Sequence, residues 1–365
     1  MKKIVIDARM INHSGIGKCL QNLIPLLAGT YRIILIGNKN EITEYPWSRH
    51  ISLIHLDCPI LSIQEQLRLP LAIPDSDLFW SPQYNVPLFP IKAVKRLVTI
   101  HDVYHLSYYN SLSISKKAYV NIVINASIAL SGKVLVDSVF TKAEILKYIK
   151  VDERKLVVNY NGVDTSVFRR ITDRATLDEV IKKYNLPAKY VLYVGNVKPN
   201  KNLKRLMKAV AQIDREYRIV IVGKKEGFIT EDSELFELMT SNPELNERVV
   251  FTGRVDDADL PVFYSLASVL AFPSIYEGFG LPPLEAMACG CPCVVSAIAS
   301  IPEICGNAAH YVNPYDVDDI AQGINEVLSN SAYSGMLLRN GIERLGLFDW
   351  NRSAGKVREV IDSLF

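Results

Sequence analysis

The chain lacks the marks of a membrane-spanning, disulfide-built or nucleic-acid-binding protein. No apolar run reaches the length of a transmembrane helix, although 49% of the 365 residues are hydrophobic. Met1-Lys-Lys leads straight into Ile4-Val-Ile-Asp-Ala, which alternates into a strand and is too short for a signal peptide, so a cytoplasmic protein is expected. There are only six cysteines, which suits that compartment. Cys289, Cys291 and Cys293 alternate with no histidine beside them, which argues against a structural zinc site. They read instead as a helix end entering a buried strand, where free cysteine behaves as a small apolar residue. No basic stretch is interleaved with aromatics, so nucleic acid is not an expected partner. No short-period repeat is visible, which excludes a solenoid.

Charge of both signs is present but unevenly placed. The net charge is +2, yet residues 1–170 carry 21 Lys/Arg against 13 Asp/Glu and the remainder 20 against 26. A basic N-terminal half suits an anionic lipid surface or an acidic acceptor, giving a peripheral contact with the inner face of a membrane. Lys142, Lys147 and Lys150, near Lys116 and Lys117, are the residues to test.

Strands expected at Lys3–Arg9, Arg32–Gly37, Leu78–Trp80, Leu97–Ile100 and Val134–Asp137 alternate with helices at Ile16–Leu27, Ile114–Leu130 and Thr141–Ile149, the last capped by Thr141. The pattern then restarts. Strands are expected at Tyr190–Gly195, Arg218–Gly223, Arg248–Gly253, Val269–Pro273 and Cys293–Ser296. Helices fall at Leu203–Ile213, Ser233–Thr240, Asp257–Ser265 and Pro283–Cys289. Continuous apolar strands separated by helices imply parallel sheets covered on both faces. The fold class is therefore α/β, with two doubly wound Rossmann-like domains facing across a cleft at the carboxyl ends of their sheets. A turn and polar run at Asn161–Arg174 place the domains at 1–170 and 171–345. Residues 346–365 follow, where Trp350–Phe365 reads as an amphipathic helix.

Glu277-Gly-Phe-Gly-Leu-Pro-Pro-Leu-Glu285 is the most informative segment. Its glycines let backbone amides approach a ligand, and its prolines suit the first turn of a helix. Glu277 then lies in a loop and Glu285 on the following helix, with a helix N-terminus aimed at an anion. A diphosphate fits there, each carboxylate being displaced toward hydroxyls, which is the geometry of a nucleotide-sugar site.

The run Phe272-Pro-Ser-Ile-Tyr-Glu-Gly-Phe-Gly-Leu-Pro, continuing Pro283-Leu-Glu-Ala-Met-Ala, resembles the donor-site signature of the retaining glycosyltransferases of family 4. The resemblance covers nearly the whole chain. It is strongest at Tyr190–Leu203 and Val249–Pro302, weaker at Asp7–Leu23 and Thr99–Tyr104. It implies the GT-B fold, with 1–170 binding the acceptor, 171–345 binding the donor and the C-terminal helix crossing back to the N-terminal domain. It also implies hexosyl transfer with retention, no cofactor and no bound metal.

The family's functional residues carry over one by one. Lys201, in Val194-Gly-Asn-Val-Lys-Pro-Asn-Lys, matches the lysine that contacts the diphosphate. Relatives often have arginine where this chain has Asn196 or Asn200, a departure for which Lys198 is the compensating charge at hand. Gly15 and Gly17, read as a turn between the first strand and first helix, resemble the glycine loop near donor phosphate and acceptor. His101 matches a histidine that reaches the donor sugar, with Asp102 orienting its ring or capping the next segment. Glu277 matches the residue at the sugar hydroxyls and reacting centre, and Glu285 the one at the ribose hydroxyls. Backbone amides of Gly278, Phe279, Gly280 and Leu281 are expected at sugar and phosphate, and Arg254 and Val255 at the base. No nucleophilic carboxylate is named, which leaves front-face departure and attack with a phosphate oxygen as base.

Other readings compete. Asp75-Ser-Asp77 matches the Asp-x-Asp of metal-dependent glycosyltransferases, but it precedes a strand rather than ending one. A sugar-nucleotide epimerase or hydrolase shares the two-domain architecture, and a non-catalytic nucleotide-sugar scaffold accommodates the missing arginines. Ile6-Asp-Ala-Arg with Ser14-Gly-Ile-Gly resembles bacterial family members that use GDP-mannose on surface polysaccharides. A mannosyltransferase acting on a growing, lipid-linked glycan is therefore the leading expectation.

Overall fold

The computed structural model describes residues 1–107, 114–223, 237–239 and 241–365, and the chain divides into two compact units. The first is Met1–Gly162 with Trp350–Phe365, the second Val163–Asp349.

Seven strands build the first unit: β1 (Lys3–Asp7), β2 (Arg32–Gly37), β3 (Ser52–His55), β4 (Ser76–Ser81), β5 (Ala93–Ile100), β6 (Lys133–Val136) and β7 (Leu156–Val158). They form one parallel sheet in the order β3-β2-β1-β4-β5-β6-β7. Alternation along each strand feeds a core on either face. Ile4 and Ile6 pack with Leu20, Leu23 and Ile24 of helix Ser14–Ala28. Val5, between them, packs instead with Leu69 of helix Ile63–Ala72. Trp350, Ala354, Val357 and Ile361, one face of helix Trp350–Asp362, complete the first of these cores.

The second unit contributes β8 (Tyr190–Val194), β9 (Arg218–Val222), β10 (Val249–Gly253), β11 (Val269–Phe272), β12 (Cys293–Ser296) and β13 (His310–Val312). These form a six-stranded parallel sheet in the order β10-β9-β8-β11-β12-β13. Strand order reverses between β1 and β4 in the first sheet and between β8 and β11 in the second. Loops leaving the two strands at such a point diverge, which opens a crevice at the carboxyl edge.

Three short strands, β3, β7 and β13, have no counterpart in the sequence reading. Thr141 is not the cap of its helix: the helix is Val139–Tyr148, and the Ser138 hydroxyl accepts the Thr141 N–H at 3.0 Å. The helix expected at 233–240 lies outside the described residues except for 237–239. Leu203–Ala209 is shorter than expected, passing into a 3₁₀ turn at Val210–Gln212. Cys289, Cys291 and Cys293 are fully buried between helix Leu281–Ala288 and β12, and burial pushes the Cys289 thiol up to about 12.

Candidate active site

The crevice of the second sheet is built from the loop after β8 and the loop after β11. Asn200 ties them together: its backbone carbonyl accepts the Ile275 N–H at 2.8 Å, and its side-chain amide donates to the Tyr276 carbonyl at 3.1 Å. Asn202, buried, donates to the carbonyls of Pro273 and Pro314 at 2.8 and 2.6 Å. An arginine at position 200 would keep the backbone half of this stitch but lose the amide that donates to Tyr276, which gives the asparagine a structural role. Asn196 and Lys198 are exposed on the same loop. Neither side chain of Asn196 or Asn200 supplies charge, so the cations of this loop are Lys198 and Lys201.

The stitch brings Lys201 onto Glu277. Lys201 Nζ lies 2.6 Å from Glu277 Oε1 and 2.8 Å from Oε2, with the lysine side chain 22% and the glutamate 10% exposed. Two residues expected at different parts of a donor therefore meet as a nearly buried ion pair. The pair is charge-neutral as a unit, so it stands without a further counterion.

The loop after Glu277 is held from behind. Ser300 Oγ is 2.9 Å from the Glu277 carbonyl and 2.8 Å from that of Phe279. Gly280 precedes helix Leu281–Ala288 at φ +108°, a conformation that favours glycine, and a β-carbon there would meet Ile301 Cδ1 at 2.7 Å. Gly278 and Phe279 are buried and Leu281 is half-buried. Glu285 sits on that helix, 8% exposed, accepting the Tyr264 hydroxyl at 2.8 Å. Burial, then Glu285, holds the Tyr264 phenol well above its ordinary range, so it remains a donor. Arg254 is exposed and Val255 buried just beyond β10. Their strand end is tied to its neighbours, Gly223 N–H donating to the Gly253 carbonyl and Gly195 N–H to that of Val222, both at 3.0 Å.

In the first unit the sequence-derived residues distribute differently. Gly15 and Gly17 are not a turn before the first helix; they lie in its first turn, with His13 at the cap position. Gly17 is required by packing, since a β-carbon would meet the Ile11 carbonyl oxygen at 2.3 Å, whereas Gly15 faces open space. His101 follows β5, and its ring is oriented by Asp137, not by Asp102. Nδ1 is 2.6 Å from Asp137 Oδ2 and Nε2 is 2.9 Å from the Pro82 carbonyl. Asp102 instead caps the next segment, accepting the Tyr104 N–H at 3.0 Å. Asp77 accepts the Lys3 N–H at 2.6 Å near the amino end of β4, the edge opposite the crevice.

Sequence reasoning missed Asp137, Asn161, Ser300 and Tyr264, together with a buried cluster at the first sheet's reversal. There Arg9 spans Asp7, at 2.6 and 2.8 Å, and Glu65, at 2.5 Å. Glu65 also accepts the Asn85 amide and the Leu61 N–H. Strand order could have found Asp137, because β5 and β6 are neighbours whose paired residues Ile100 and Val136 immediately precede His101 and Asp137.

Residues 177–344 match the family "Glycosyl transferases group 1". The chain is 29% identical over 273 residues to the Escherichia coli O-antigen chain mannosyltransferase B, covering 73% of this chain and 70% of that protein. It is 31% identical over 216 residues to the E. coli serotype-specific mannosyltransferase WbdA, covering 58% of this chain but only 26% of that protein. Among solved structures, Anabaena HepE in complex with UDP-glucose superposes over 100% of both chains with a TM-score of 0.83 and 18% identity, and HepE in complex with UDP and glucose with a TM-score of 0.82. Residues 177–344 therefore form a group 1 glycosyl transferase domain, in a chain that shares its fold with HepE and its sequence similarity with the E. coli O-antigen mannosyltransferases.

Proposed function

We propose that this chain is a retaining, metal-independent mannosyltransferase. It moves mannose from GDP-mannose to a growing, lipid-linked glycan during surface-polysaccharide synthesis, working at the cytoplasmic face of a membrane. The observation that carries this reading is the Lys201–Glu277 pair, set at the reversal of the donor-side sheet beside a glycine-led helix N-terminus. Two E. coli relatives are mannosyltransferases, which supports mannose as the sugar.

Donor binding exchanges partners within the pair. The diphosphate takes Lys201 and the backbone amides that open helix Leu281–Ala288, while sugar hydroxyls take Glu277. Glu285, already anchored by Tyr264, accepts the ribose hydroxyls, and backbone at Arg254 and Val255 meets the base. The bond from the anomeric carbon to the phosphate oxygen breaks, and the bond to the acceptor oxygen forms on the same face. The acceptor proton passes to the departing phosphate oxygen. Charge developing on the diphosphate is met by Lys201, which strengthens its interaction as the bond breaks.

Calorimetric binding of GDP, UDP, dTDP and ADP in chelator tests this reading, followed by the sugars of the best nucleotide. Tight binding of GDP and GDP-mannose supports it. A preference for another base would discard mannose, and loss of turnover on chelation would discard metal independence.

A further inference from the structure

The ring of His101 has a hydrogen-bond partner at each nitrogen, and neither partner is a donor. The Pro82 carbonyl has no proton to give, so Nε2 at 2.9 Å carries one. Asp137 Oδ2 also accepts the Asn161 side-chain amide at 3.0 Å, so this oxygen serves as an acceptor and Nδ1 at 2.6 Å carries the other proton. The ring is 15% and the carboxylate 5% exposed, so water does not readily replace either partner. We infer that Asp137 is a positioning residue that holds His101 as a doubly protonated imidazolium, making it a fixed cation and donor and not a base.

The surroundings favour this state. Among the described residues Asp137 and Asp102 are the charged groups facing the ring, with Cys19 near Asp137 and Tyr84 near Asp102. Burial works against protonation, but Asp137, then Asp102 and the Pro82 carbonyl, outweigh it and raise the ring above the ordinary histidine range. Register explains the placement: β5 and β6 pair Ile100 with Val136, so the next residue of each strand meets the other. A standing cation favours a departing anion and opposes positive charge on a sugar ring. In glycosyl transfer, a consequence that rests on the function proposed above, His101 thus donates to a substrate hydroxyl in place of Pro82.

The test is a pH titration of the ¹⁵N-labelled ring by NMR in the enzyme without substrates, the His101 signals being assigned with His101→Gln. Both ring nitrogens are expected to be protonated near pH 7. In Asp137→Asn the midpoint falls by roughly 1–3 units, while Asp137→Glu restores it. The alkaline limb of kcat/KM moves down with it in Asp137→Asn, which a merely structural role would not cause. A neutral ring near pH 7 in the native protein, or an unchanged midpoint in Asp137→Asn, overturns the inference. Because the titration needs no donor or acceptor, failure of mannosyl transfer leaves it standing.

Discussion

At the scale of single residues, the Lys201–Glu277 pair decides how substitutions at the site should be read. Each side chain leaves an opposite charge mostly buried when the other is removed, so Lys201→Met is expected to cost roughly 1–3 kcal/mol of stability. Adding Glu277→Gln should recover most of that loss in urea denaturation without recovering turnover. Two singles that simply add would show that the pair contributes nothing. Glu285 has two partners of different kinds, Tyr264 and the proposed ribose. Glu285→Gln keeps an acceptor for the phenol and should weaken nucleotide binding by about 1–3 kcal/mol with little loss of fold. Glu285→Ala should do both kinds of damage, and equal melting of the two variants would refute the Tyr264 contact. The local motifs around Glu277, Lys201 and Glu285 were legible in the sequence because glycine, proline and charge mark a loop-to-helix junction directly. The Lys201–Glu277 contact was not, because it joins positions 76 residues apart through a strand order that no local pattern encodes.

Elements show the same division. Central strands such as β1, β8 and β11 consist mostly of buried apolar residues, and these were read from the sequence with ends within about two residues. The outer strands β3 and β13 are short and half polar, so alternation gives no signal there. The first-turn position of Gly15 and Gly17 was missed because glycine usually ends helices. Helix Ile63–Ala72 carries the clearest exposed apolar surface of the first unit. Ile63, Leu67 and Leu71, spaced by four, are 79, 56 and 86% exposed. Arg68 is exposed on the same helix, and Lys92 and Lys95 on the segment beside it, which Gln66 joins through Val86 and Leu88. An apolar stripe flanked by cations suits an anionic bilayer. By contrast, Lys142 pairs with Glu153 and Lys147 with Glu144, so two of the five basic residues singled out from sequence are partly neutralised. Binding to anionic vesicles should fall severalfold in Leu67→Gln/Leu71→Gln and much less in Lys142→Gln/Lys147→Gln. Unchanged sedimentation of the leucine variant would remove the proposed membrane contact.

The whole molecule is two parallel-sheet units with one chain end returning to the first. Alternating strands and helices were enough to read two doubly wound sheets. The return of helix Trp350–Asp362 to the N-terminal core came only from family resemblance, because an amphipathic face does not name its partner. Substrate identity is less legible still, since one fold serves many donors and acceptors. Among the described residues no helix is long and apolar enough to cross a membrane. The central claim is that Glu277 acts on the transferred sugar while the nucleotide is held elsewhere. The most direct measurement is kcat for mannosyl transfer alongside the Kd for GDP, in the native enzyme and in Glu277→Gln. A fall in kcat of about a hundredfold or more, with GDP affinity changed by less than about tenfold, is expected. Turnover left intact by Glu277→Gln would contradict the claim.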